Sequence, residues 1–379
     1  MANIEFVFFD AGGGHRSAAT ALKSVAEQQK RDWNIRLLNL QEVLEPLDIF
    51  RKITGVRMQD IYNRMLASGW TLGSEYLLPC MHGIIRLYHP AQVRMLSEFW
   101  RAETPDLIVS VVPNFNRALL QGLRRVPSTS PFVTILTDFA DYPPHFWIER
   151  QEQFLICGTD RAIEQARRMG HPEDHLFRVS GMILRPGFYQ EFTHDRAAER
   201  TKLGLDPNRP TGLVLFGGQG SAKMLRIAKE LQHTQHELQL IMMCGRNERL
   251  AAGLRKMPGR QPMHVAGFTH EIPYFMSLSD FFIGKPGPGS ISEALAMKLP
   301  VIIERNSWTL PQERYNADWV LEKDVGIVVP NFSHIGAAVD QLLEPTTFAR
   351  TRSHAAAIQN RAVYEILDIL QEILNRGTG

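Results

Sequence analysis

Twelve short, largely apolar runs recur along this chain, each separated from the next by a longer stretch, mostly with helical spacing. The first six are IEFVFF (4–9), NIRLLNL (34–40), DLIVSVV (106–112), FVTILTD (132–138), FLICG (154–158) and FRVSG (177–181). The second six are GLVLFGG (212–218), LQLIMMCG (238–245), HVAGF (264–268), DFFIGK (280–285), PVIIE (300–304) and GIVV (326–329). A strand with one wet face alternates apolar and polar residues, whereas a continuously apolar strand must be covered on both faces. Such runs, separated by helices, specify parallel sheets with helices on either side. A polar segment from Arg185 to Arg209, containing Pro186 and Pro207, divides the two sets. At 379 residues the chain is long enough for two domains of ordinary size. The expectation is therefore α/β, two doubly wound domains facing across a cleft, one over 1–190 and one over 206–350. The final segment, 351–379, carries Val363, Ile366, Leu367, Leu370, Ile373 and Leu374 on one helical face and is expected to pack back toward the N-terminal domain.

Ligands of such sheets sit beyond the carboxyl ends of the strands, so function is sought in the loops that follow each run. Three of those loops are rich in glycine: AGGGHRSA (11–18), GGQGSA (217–222) and GKPGPGSISEAL (284–295). The first is not a dinucleotide fingerprint, because Ser17 stands where the third glycine belongs and no acid follows the second strand at Asn39–Leu40. The second is not a Walker loop, because Lys223 follows an alanine and precedes Met224. Close packing of helix on sheet would also account for either loop. In the third, Gly287, Pro288 and Gly289 form a turn and Ser290 opens a helix. Its unsatisfied N–H groups and positive dipole end suit a diphosphate. Gly13 and Gly14, with Gly217, Gly218, Gln219 and Gly220, are read as further backbone meeting the same ligand, and Arg246 as a cation for it. The polar loop PQERYN (311–316) offers Gln312, Glu313 and Asn316, groups suited to several hydroxyls of one hexose, or equally to a solvated loop. The combined reading is a nucleotide-activated sugar.

His15 lies at the start of the helix after the first glycine loop. The positive helix end disfavours its charged form, and a neutral imidazole can act as a general base on a hydroxyl; a capping or packing histidine is the alternative. Asp138 ends the run FVTILTD and could orient His15, serve as the base, bind a hydroxyl, or be a buried capping acid. His145 and Trp147 follow near the same edge as acceptor-side candidates. Glu293 has two readings as well. With Ser290 it forms S-x-x-E, a capping box, or its carboxylate accepts the two hydroxyls of a ribose. No D-x-D pair or His/Asp/Glu spacing would hold a divalent ion, so a metal-independent reaction without a cofactor is expected.

Composition removes several classes. The net charge of +2 gives no case for nucleic acid. Cys80, Cys157 and Cys244 lie far apart, without a CxxC pair, which points to a reducing cytoplasm. The N-terminus has no basic-then-apolar leader, and no apolar run reaches the roughly 18 residues that span a bilayer. Between Leu47 and Trp100 large apolar groups such as Trp70, Tyr76 and Leu87 interleave with basic Arg51, Lys52, Arg57, Arg64, Arg86 and Arg94. That composition suits a peripheral contact with an anionic membrane surface, or ordinary helices with a solvated face.

These motifs, in this order, resemble those of the monogalactosyldiacylglycerol synthases and, more distantly, the lipid-II N-acetylglucosaminyltransferase. The likeness runs through AGGGHRSA, ILTDF (135–139), SGMILRPGF (180–188), FGGQG, MCGRNERL (243–250) and VAGF (265–268), to GKPGPGSISEAL and PQERYN. It implies the GT-B fold, two Rossmann-like domains, and an inverting, metal-independent glycosyltransferase on the cytoplasmic membrane face. By motif it implies His15 as catalytic, Glu293 on the donor ribose and Gln312 with Glu313 on the donor sugar. The loop after VAGF, with Phe268, Thr269 and Ile272, would receive the uracil. UDP-galactose or UDP-glucose as donor and a lipid acceptor such as diacylglycerol come from the resemblance. Residues 47–100, where acceptor specificity is expected, show no alignable match. A UDP-sugar epimerase on a related two-domain scaffold is the competing enzyme class, and a non-catalytic sugar-nucleotide sensor a further one.

Overall fold

A computed structural model describes residues 1–10, 13–47, 74–143 and 145–377. All twelve apolar runs are strands, in two parallel six-stranded sheets. The chain divides into two compact units, one containing the described residues up to Arg185 and from Asn360 onward, the other Pro186–Gln359.

In the first unit the strands are β1 (Ala2–Phe8), β2 (Trp33–Asn39), β3 (Leu107–Ser110), β4 (Phe132–Ile135), β5 (Phe154–Cys157) and β6 (Leu176–Arg178). Their order is β2-β1-β3-β4-β5-β6. The strand order therefore reverses between β1 and β3, and the crevice beyond their carboxyl ends is the place for a ligand. Val7, Ile108 and Phe132 pack one side of the sheet against Trp100, Leu96 and Leu119 from two helices, Ser74–Ala102 and Asn116–Leu123. Glu5, buried in β1, accepts the indole N–H of Trp100 at 2.8 Å and pairs with Arg36. Burial pushes its carboxyl pKa up.

The second unit holds β7 (Thr211–Leu215), β8 (Gln239–Met243), β9 (Met263–Ala266), β10 (Phe281–Gly284), β11 (Val301–Glu304) and β12 (Gly326–Val329). Its order, β12-β11-β10-β7-β8-β9, reverses between β7 and β10. Helices flank both faces, and residues such as Met224, Leu254, Ile283 and Val339 share one continuous core.

The C-terminal segment forms two helices, Pro345–Ala357 and Ala362–Gly377. Between them Asn360 accepts the Ala362 N–H at 3.0 Å and donates to the Met182 carbonyl at 2.8 Å. The last helix then packs on the first unit, where Arg31 donates to the Leu367 carbonyl and Trp33 to Gln371. Val363, Ile366, Leu367, Leu370 and Ile373 are all fully buried.

Candidate active site

In the first unit, Gly13 takes a left-handed conformation (φ 80°) and caps the helix Gly14–Gln28. Gly13 and Gly14 are exposed. His15 is therefore the second residue of that helix, at the reversal between β1 and β3. Its Nδ1 lies 3.3 Å from the Thr137 hydroxyl, and its ring stands 5.9 Å from the Trp147 ring. Burial pushes the imidazole pKa down to about 4, only partly countered by the Val111 backbone. The ring is neutral at pH 7, as the sequence suggests, but desolvation rather than the helix dipole is the main cause.

The residue that meets His15 Nδ1 is Thr137, which the sequence reading passed over in favour of its neighbour. Asp138 is buried, and its Oδ2 accepts the Trp147 indole N–H at 2.8 Å. Trp147 itself is 0% exposed, so its assignment to the acceptor side is overturned. It is a core residue that walls the imidazole. Asp141, also missed, accepts the backbone N–H groups of His145 at 2.9 Å and Trp147 at 2.6 Å, and burial raises its pKa. Those bonds hold the backbone at His145 and Trp147, and His145 is exposed in the left-handed region (φ 66°).

In the second unit the loops after β7 and β8 touch. Arg246 donates its backbone N–H to the Gly218 carbonyl at 2.9 Å. A Cβ on Gly245 would stand 2.3 Å from that same oxygen, so only glycine permits the approach. Gly220 is buried, and a Cβ there would meet the Cys244 carbonyl at 2.6 Å. It therefore serves loop packing, while Gly218 and Gln219 are exposed and Gly217 partly so. The Arg246 guanidinium lies 4.6 Å over the Phe268 ring, which is 46% exposed. Thr269 accepts the Glu271 N–H at 3.0 Å, and Ile272 begins the helix Ile272–Ser277.

The helix Pro288–Ala296 follows β10. Its N-cap is Gly287, with Pro288 in the first turn and no side-chain cap. Ser290 therefore lies inside the first turn rather than at its start, and the capping-box reading of Ser290 with Glu293 is overturned. Glu293, partly buried, sits further along the same helix. Gly289 is exposed, with open space where a side chain would be. Lys285 pairs with Glu313 at 3.1 Å. Lys223 pairs with Glu304 at 2.5 Å, between the helix after β7 and the end of β11, and β10 lies between those strands. Asn316 is 0% exposed and donates to the Pro286 carbonyl at 2.7 Å. Its amide nitrogen braces the glycine turn, while its side-chain oxygen is buried without a hydrogen-bond partner, so it is not an open sugar contact in this structure. Gln312 is partly exposed, with a buried side-chain oxygen that has no hydrogen-bond partner.

Residues 48–73 fall outside the described chain, so the aromatic and basic reading of 47–100 is open there. On the described part of the helix Ser74–Ala102, Leu87 is 75% exposed and Arg86 and Arg94 are exposed. No helix among the described residues is long and apolar enough to cross a membrane.

Residues 213–368 match the glycosyltransferase family 28 C-terminal domain. The match takes in the loops after β8 and β10 and the whole of PQERYN. The chloroplastic monogalactosyldiacylglycerol synthase of Spinacia oleracea is 26% identical over 97% of this chain and 72% of that protein. Among solved structures, the MurG of Acinetobacter baumannii superposes with a TM-score of 0.64 at 12% identity, covering 98% of this chain and all of that one (100%). The HepE protein of Anabaena, solved in complex with UDP-glucose, does so with a TM-score of 0.55 at 16% identity, over 99% and 100% of the two chains. With two parallel sheets and these likenesses, the chain has the GT-B fold, and its residues 213–368 resemble a glycosyltransferase domain. More narrowly, it is monogalactosyldiacylglycerol synthase-like, with the likeness running through nearly the whole chain.

Proposed function

We propose that this protein moves a hexose from UDP-galactose or UDP-glucose to the hydroxyl of a lipid such as diacylglycerol, with inversion to a β-glycoside and without a metal ion. The observation that carries the reading is the helix Pro288–Ala296, which has a glycine cap and no side-chain cap. Its first-turn N–H groups and dipole suit the diphosphate of a donor. Glu293 on that helix then accepts the ribose hydroxyls, and the exposed Phe268 ring meets the base. The names of the relative and of the UDP-glucose complex support this choice of donor and acceptor.

His15 accepts the proton of the acceptor hydroxyl as the acceptor oxygen attacks the anomeric carbon. The bond from that carbon to the diphosphate oxygen breaks, and UDP leaves. With a pKa of about 4, the imidazole is a weak base. Proton transfer is therefore coupled to carbon–oxygen bond formation rather than preceding it. Asp138 acts through Trp147, whose ring backs the imidazole. Positive potential from the helix end, glycine N–H groups and Arg246 takes the place of a metal at the leaving group. The protein meets the cytoplasmic face of an anionic membrane peripherally, through Leu87, Arg86 and Arg94.

The test is transfer from labelled UDP-galactose and UDP-glucose to diacylglycerol in anionic vesicles, with and without a chelator. A glycolipid with a β-anomeric proton, formed equally with chelator, is expected. An α-linked product sinks the inversion, and loss of product with chelator sinks metal independence. An isomerised nucleotide sugar formed without lipid sinks the transferase reading.

A further inference from the structure

The sequence assigns Glu313 to the donor sugar, but the structure gives its carboxylate a different neighbour. Its Oε1 lies 3.1 Å from the Lys285 ammonium, the first residue past β10. The two differ in access: the Glu313 side chain is 11% exposed and that of Lys285 43%. The pair is packed on the backbone of Gly287, the cap of the helix Pro288–Ala296. A Cβ built there would stand 3.2 Å from Lys285 Cε, 3.7 Å from its Nζ and 3.6 Å from Glu313 Oε1. The glycine thus makes room for an ion pair at the mouth of the helix. Two residues on, exposed Gly289 opens onto empty space.

We propose that Lys285 is a second cation, beside Arg246, that meets the donor's diphosphate, and that Glu313 is its positioning residue rather than a reader of the hexose. This rests on the reading of the donor as a UDP-sugar. An ammonium with three donors is a point charge well suited to phosphate oxygens. Left alone, a lysine spreads over many rotamers, and ordering it on binding costs affinity. A buried carboxylate that fixes it beforehand removes part of that cost. Because negative charge builds on the departing UDP, the same ammonium acts more strongly in the transition state than on the bound donor. A sugar-reading carboxylate would instead need its oxygens turned toward solvent.

The proposal is tested by a double-mutant cycle of Lys285→Met and Glu313→Gln, titrating the full chain with UDP, with uridine and with UDP-hexose. The double variant carries no stranded buried charge, so it keeps the comparison usable if Lys285→Met alone unfolds. Lys285→Met is expected to weaken UDP about 10- to 100-fold, the range of a charge-assisted contact, and to leave uridine unchanged. Glu313→Gln is expected to weaken UDP about threefold or more, and to have no further effect once Lys285 is methionine. Unchanged UDP affinity in Glu313→Gln, with a raised KM for UDP-hexose alone, overturns the positioning role. UDP affinity unchanged in Lys285→Met overturns the whole inference. Wild-type protein that binds no UDP at all overturns the donor reading beneath it, which is a separate result.

Discussion

The two sheets place opposite kinds of chemistry at their points of reversed strand order. Beyond β1 and β3 stands an imidazole against a buried tryptophan, with a pKa pushed down to about 4 by desolvation. Beyond β7 and β10 stand exposed glycines, a bare helix end and two lysine–carboxylate pairs. Drying a site tunes a base, because burial acts on its charged form. Binding a charged nucleotide calls for donors that are already ordered and open to solvent. Under the proposed function, that difference would put proton transfer in the first unit and donor binding in the second.

Removing the base should separate those two roles by the largest margin. His15→Ala is expected to lower transfer about 10²- to 10⁴-fold, the usual worth of general-base catalysis. UDP affinity, measured calorimetrically on the same preparation, should stay at the wild-type level. If transfer survives intact, the imidazole is not the base; if UDP binding falls with it, the division of labour fails.

The same ring also sets a pH signature. With its pKa at about 4, the acid limb of kcat/KM due to His15 should fall near pH 4 rather than at the ordinary 6.5. Stability carries the matching sign. The unfolded chain takes up a proton as pH drops through 6.5, while the folded ring stays neutral until about 4. The imidazole therefore destabilises the fold progressively across that window as pH falls. Urea midpoints at pH 7 and pH 4.5 should show a larger loss for wild type than for His15→Asn. Equal losses would mean the ring is solvated.

On the second unit, Glu293→Gln tests the binding half. Losing a charged acceptor for two ribose hydroxyls is expected to weaken UDP about 10- to 100-fold, from roughly 1.5–3 kcal/mol per charged hydrogen bond. The acid limb of the pH profile should not move. A shifted limb would show that Glu293 acts on the base as well.

Strands and their grouping were legible because a continuously apolar run has few other uses. Side-chain direction was not. Trp147 read as an acceptor contact since it follows an active-site strand, yet Phe146, Trp147 and Ile148 form an apolar triplet, and all are buried. Asn316 read as a sugar contact, though its spacing with buried Ala317 and Val320 puts it on the inner face of the helix Arg314–Glu322. Thr137 and Asp138 are adjacent just past the end of β4, where strand alternation no longer says which side chain turns toward the imidazole. The more reactive residue drew the assignment, and the hydroxyl met the imidazole. Lys285 was counted as the end of a strand. Its pairing with Glu313 crosses 28 positions of sequence, a contact that periodicity cannot show.

The smallest expected effect belongs to the aromatic platform of the second unit. Phe268 is 46% exposed beneath the Arg246 guanidinium, and its ring lies 3.8 Å from a Cβ built on Gly218. An exposed cation–π contact is worth about 0.5–1 kcal/mol, so Phe268→Ala should weaken UDP only about two- to fivefold. If the ring stacks on the base, uridine should lose the same factor and inorganic diphosphate none. The ring contributes little to the core, so the urea midpoint should not change. A loss confined to diphosphate would mean that the ring serves to hold Arg246 over the phosphates instead. That outcome would extend the preordered cation design from Lys285 to both sides of the donor, and it would sharpen the contrast with the dry base in the first unit.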